Sequence, residues 1–62
     1  MTADELKEAG AALYGSRWKA PLAKKLGVHT ATLYRWLQNN MVPIPEAMAI
    51  RALLNEAERL SQ

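Results

Sequence analysis

The sequence predicts an all-α fold, a compact bundle of four to five helices formed as one domain over residues 1–62. Three observations predict it. Apolar residues recur at helical spacing, from Leu6, Ala9 and Leu13 to Ile50, Leu53 and Leu54, and no segment alternates as a half-buried strand does. Gly15, Gly27 and the pair Asn39-Asn40 stand where those runs stop. Residues 22 to 36, Leu-Ala-Lys-Lys-Leu-Gly-Val-His-Thr-Ala-Thr-Leu-Tyr-Arg-Trp, carry the small residue, the glycine and the apolar spacing of two short helices crossing through a tight turn.

The first helix starts at Thr2-Ala3-Asp4-Glu5, a capping box in which the Thr2 hydroxyl accepts from the Glu5 amide while Glu5 reaches back. It runs to about Tyr14, with Leu6, Ala9, Leu13 and Tyr14 on the core side. Gly10 weakens this helix by about 1 kcal/mol relative to alanine, which points to a close approach there. Gly15 ends it, Ser16 and Arg17 form the connection, and Trp18 packs over the start of the second helix. Pro21 has no amide hydrogen, so the second helix begins just before it, between Trp18 and Ala20. A third helix spans about Thr30 to Asn39. Imidazole caps poorly, so Thr30 competes with His29 for the N-cap place, a shift of one residue. Asn39-Asn40 end the helix, because asparagine tolerates left-handed backbone.

Met41 to Ile44 then read as a short apolar loop, and Pro45 as the first position of a fourth helix that continues to about Leu60. Along it Ala47, Ile50, Leu53, Leu54 and Ala57 should meet the core. Met41, Val42, Ile44, Met48 and Leu60 exceed what one narrow stripe needs. Either they complete a small monomer core, or Ile44, Met48 and Leu60 head a self-complementary patch for a second copy. A chain of this size buries only about 60 % of its unfolded surface, which makes association a reasonable expectation.

The segment from Leu22 to Trp36 has the geometry of a helix-turn-helix. Ala23 sits where two helices cross closely, and a larger side chain would push them apart. Gly27 follows four residues later, where the backbone needs positive φ. Leu22, Leu26, Val28, Leu33, Trp36 and Leu37 hold the helices together, leaving His29, Thr30, Ala31, Tyr34, Arg35 and Gln38 pointing away. A major groove accepts such a short polar edge.

Lys19 to Gln38 resembles the helix-turn-helix of the phage Cro and repressor-like family, with the small residue, the glycine and the later apolar positions in register. The flanks Tyr14-Gly15, Arg17-Trp18 and Ile44-Pro45 are similar to those of very small bacterial and prophage helix-turn-helix proteins. The motif covers about a third of the chain and the flanks extend the likeness to most of it. The resemblance implies a lambda-repressor-like DNA-binding domain that reads double-stranded, palindromic operator DNA as a homodimer, as Cro-type repressors, antitoxin regulators and regulators of anti-CRISPR operons do. It implies base readout by Thr30, Ala31, Tyr34, Arg35 and Gln38, with Arg35 the best placed to donate twice to a guanine. Backbone contacts would come from Arg17, Lys19, His29, Thr32, Asn39 and Asn40, and Gln38 fits either role. His29 occupies a position where the family more often has serine or threonine, which puts the aim of the first readout residues in question.

Charge supports the same partner. The net charge is only +2, but Arg17, Lys19, Lys24, Lys25 and Arg35 lie between Ala9 and Pro45 with no acid among them. That segment is +5, and the remainder, six acids against Lys7, Arg51 and Arg59, is −3. A polyanion would meet the basic part; the alternative is that the lysines merely solvate the second helix. Trp18 and Trp36 fall on core positions, which argues against stacking on single strands.

Several classes are disfavoured. Without cysteine there is no disulfide or zinc-thiolate framework, and His29 is the sole histidine. The six carboxylates fall on solvated helix faces with no nucleophile–base spacing, so no catalytic residues, metal, cofactor or small-molecule ligand are expected. No run approaches about 18 apolar residues and the acidic start is unlike a signal peptide, so a cytoplasmic, non-membrane protein is expected. The leading reading is a transcriptional regulator acting as a repressor through its own concentration. The alternative is a helical protein-interaction module, such as a phage assembly adaptor built on the same scaffold.

Overall fold

Short-range chemistry accounts for most of the helix ends. The computed structural model describes residues 1–60 as four α-helices and one 3₁₀ turn: α1 (Ala3–Tyr14), the turn (Gly15–Arg17), α2 (Lys19–Leu26), α3 (Thr30–Asn39) and α4 (Ile44–Leu60). At the start of α1 the Thr2 hydroxyl accepts from the Glu5 amide at 3.2 Å and the Glu5 carboxylate accepts from the Thr2 amide at 3.1 Å. The bond from the Thr2 amide, and after it the Thr2 side chain, lower the Glu5 carboxyl below its ordinary pKa.

Gly15 ends α1 at φ 79°, ψ −154°, a conformation essentially reserved for glycine, and its amide donates to the Ala11 carbonyl. The 3₁₀ turn then carries Trp18 back against α1. Its indole lies on the bare face of Gly10: a Cβ there would come within 2.7 Å of Trp18 Cγ and nearer still to Cδ2 and Cε3. This is the close approach that the glycine implied.

The ends of α2 and α3 share one device. Gly27, left-handed at φ 74°, donates to the Lys24 carbonyl at 3.2 Å while Val28 donates to Ala23 at 3.0 Å. Asn40, left-handed at φ 53°, donates to Leu37 at 3.4 Å while Met41 donates to Trp36 at 3.2 Å. Both are Schellman closures, in which the first two residues beyond the helix satisfy carbonyls of its last turn. Asn40 does more: its Oδ1 accepts from the Ala3 amide at 2.8 Å, and nearby the Val42 amide donates to the Met1 carbonyl at 3.1 Å. These bonds tie the start of α1 to the α3–α4 loop.

The core draws one large side chain from each helix. Leu6, Leu22, Leu33 and Ile50 are all 0 % exposed, and each contributes about 1.5–3 kcal/mol by leaving water. Ala9, Trp18, Ala23, Trp36, Val42 and Ala47 complete the buried set, with Met1, Leu13, Leu26, Val28, Leu37, Leu53 and Leu54 packed around it. Helix α1 packs against α2, α3 and α4, while α2 packs on α3. Ala23, on α2, is buried at 2 % exposure.

Several sequence expectations need correction. Thr30 does not displace His29: His29 is the N-cap residue in extended backbone, makes no side-chain capping bond, and its carbonyl accepts from Thr32 and Leu33. Helix α4 starts at Ile44 rather than Pro45, because the Pro43 carbonyl already accepts from Ala47 at 2.9 Å; the loop is Met41–Pro43. Proline at the second position costs nothing there, since the first-turn amides have no intrahelical partner. Of the surplus apolar residues, Val42 takes the monomer-core alternative: it is buried, and its amide donates to Met1. Tyr14 is exposed because its backbone (φ −132°) has already left helical geometry and turns the ring off the core stripe. Ala57 is exposed too. It lines a shallow groove with Ala12, Leu54 and Glu58, where facing methyl groups are too small to close the gap.

Glu46 shows what proline removes. It stands three residues after Pro43, where a capping-box carboxylate reaches back, but Pro43 has no amide hydrogen to offer. Its Oε2 is buried without a hydrogen-bond partner.

Candidate nucleic-acid interface

Helix α3 divides sharply between a core side and an open side. Leu33 and Trp36 are buried and Leu37 is half-buried, whereas Thr30, Ala31, Tyr34, Arg35 and Gln38 are all exposed. At 3.6 residues per turn these five side chains occupy an arc of roughly 140° opposite Leu33 and Trp36. The structure therefore brings the five proposed readout residues onto one surface. Thr32 and Asn39 border the edge of the arc nearest Arg35, the first half-buried and the second exposed.

Lys19, the first residue of α2, stands at the other edge. Its Nζ lies 5.6 Å from the centroid of the Tyr34 ring and 5.1 Å from that of Trp18, so the ammonium is held by two aromatic faces. Arg17 is exposed in the turn just before it, and His29 is exposed at the start of α3. Asn40 is exposed at the far end of α3, but its Oδ1 already serves the fold through Ala3, which leaves its side-chain N–H groups to donate outward. Lys24 and Lys25 are exposed in the last turn of α2, where positive charge also suits the helix dipole.

The Lys19–Tyr34 pairing has no local signature in the sequence. Adjacency gives Lys19 its neighbour Trp18, but Tyr34 reaches it only through the packing of α2 on α3. No group of three or more His, Asp or Glu side chains is gathered to hold a metal among the described residues. No helix among them is long and apolar enough to cross a membrane.

A second surface is apolar. Met41, Ile44 and Met48 are 62 %, 75 % and 65 % exposed, and Ile44 and Met48 lie one turn apart on α4. Leu60 is exposed as well, but it sits about 18 Å further along than Met48 and roughly 120° round the helix. The three sequence candidates therefore do not share one stripe; Ile44 and Met48 do. Comparison with protein families, characterised proteins and solved structures yields no match for this chain.

Proposed function

We propose that the chain is a sequence-specific double-stranded DNA-binding regulator whose segment Lys19–Gln38 works as a helix-turn-helix of the Cro and repressor-like kind. Helix α3 enters the major groove. The observation that carries this reading is the exposed polar face of α3, free of acidic residues, with Lys19 beside it and the tight α2–Gly27–α3 turn behind it. Arg35 reads a guanine through two donors, while Thr30, Ala31, Tyr34 and Gln38 fill the groove. Arg17, Lys19, His29, Thr32, Asn39 and Asn40 meet phosphates and fix register. The protein acts as a homodimer and represses by occluding a promoter.

A single module makes few phosphate contacts, and a two-fold dimer places two α3 helices one DNA turn, about 34 Å, apart. Met41, Ile44 and Met48 supply the seam. Selection from random duplex DNA, followed by gel shifts at several salt concentrations, tests the whole reading. Two related half-sites and a steep salt dependence are expected; failure to bind any duplex would refute it. Sedimentation on the selected site should show two protomers.

The exposed Met41, Ile44 and Met48 also favour a second reading, a helical interaction module or assembly adaptor that docks on another protein. That reading gains if the chain binds no duplex and stays monomeric.

A further inference from the structure

Lys19 and Tyr34 come from different helices and meet at the rim of the exposed α3 face. The Lys19 ammonium is 5.1 Å from the Trp18 ring and 5.6 Å from the Tyr34 ring, inside the distance of about 6 Å at which a ring face attracts a cation. The two rings differ in kind. Trp18 is buried against Gly10 and cannot move without disturbing α1, while Tyr34 is 53 % exposed on the open side of α3. Lysine ordinarily swings on a flexible four-carbon stem and loses that freedom when it binds. Here one immobile ring and one surface ring already restrict it. A ring face engages the charge without accepting a conventional hydrogen bond, so the three ammonium donors stay open to phosphate oxygens.

We propose that Tyr34 is a positioning residue: its ring, with that of Trp18, holds Lys19 Nζ in place for a phosphate of duplex DNA, and the ring rather than the hydroxyl is what binding requires. This rests on the DNA-binding reading above. It follows that the loss of Lys19 positioning weakens all sequences alike, because phosphate contacts carry no base information.

Two measurements test it. By NMR, the Lys19 Hε protons should lie upfield of their position in a free peptide. They should stay there in Tyr34→Phe and move toward the free position in Tyr34→Leu. On a duplex bearing the best-bound sequence and on single-base variants of it, Tyr34→Phe should keep the wild-type salt slope and lose less affinity than Tyr34→Leu. Tyr34→Leu should weaken every duplex by about two- to fivefold, and Lys19→Ala should cost less in the Tyr34→Leu background than alone. Unshifted Lys19 protons, equal losses in the two Tyr34 variants, additive losses with Lys19→Ala, or a loss confined to one base pair would each overturn the proposal. Wild-type protein that bound no duplex would remove the DNA reading and the proposal together. Shifted protons with additive losses would overturn the positioning role alone.

Discussion

Gly10→Ala sets helix propensity against packing, and the two have opposite signs. In an exposed helix interior the change would stabilise by about 1 kcal/mol, because alanine loses less backbone freedom on folding. At Gly10 the new methyl would lie 2.7 Å from Trp18 Cγ and closer to two other indole carbons, whereas carbon contacts are comfortable at about 3.5–4.0 Å. Relief requires a shift of an ångström or more by the indole or by α1. The indole is poorly placed to yield: Trp18 is 6 % exposed and its carbonyl accepts from Leu22 at the start of α2. Overpacking of this sort costs about 1–3 kcal/mol, and the severity of the overlap places this case at the upper end. The net loss should be roughly 1–2 kcal/mol, which lowers the melting temperature of so small a domain by about 5–15 °C. Thermal unfolding followed by circular dichroism and tryptophan emission measures it. In a Trp18→Leu background the sign should reverse and Gly10→Ala should stabilise, since only the propensity gain remains. A variant that melted above wild type with Trp18 intact would refute the packing of the indole on Gly10.

Three further outcomes are expected. Gly27 is left-handed with open space around its missing Cβ, so Gly27→Asn should cost less than about 1 kcal/mol. Gly15→Asn should cost about 1–3 kcal/mol at φ 79°, ψ −154°; urea midpoints in the reverse order would sink this assignment. Arg35→Ala should lose about 1–3 kcal/mol per half-site and relax preference at one base pair. Lys19→Ala should instead weaken all duplexes and lower the salt slope by about 1, and uniform loss in both variants would make Arg35 a backbone contact. The Glu5 carboxyl has a lower pKa folded than unfolded, so its stabilising contribution is complete above its ordinary value, 4.5, and disappears as pH falls through the folded value. Acidification should therefore release the Thr2 amide to faster hydrogen exchange at a midpoint below 4.5, and a midpoint at or above that value would contradict the capping geometry.

What could be read along the chain was whatever is decided within four or five residues. The Thr2–Glu5 box, the stops at Gly15, Gly27 and Asn40, the start of α2 before Pro21 and the buried stripe of α3 all follow from which backbone groups a neighbouring residue can satisfy or forbid. The same spacing put Thr30, Ala31, Tyr34, Arg35 and Gln38 on one open face, because the geometry of a helix is fixed once its ends are known.

Tertiary structure decided who meets whom. Gly10 announced a close neighbour, but only the fold of the 3₁₀ turn makes that neighbour Trp18. Val42 was open between core and surface until the fold buried it with its amide on the Met1 carbonyl, and Ala57 looked like core until α1 offered it nothing larger than a methyl. Asn40 was legible as a helix stop but not as the acceptor for Ala3, 37 residues away in sequence. Lys19 likewise reaches Tyr34 only because α2 packs on α3. Contacts of this kind depend on volumes and open hydrogen-bonding groups arriving together from distant segments, and no local pattern encodes that meeting.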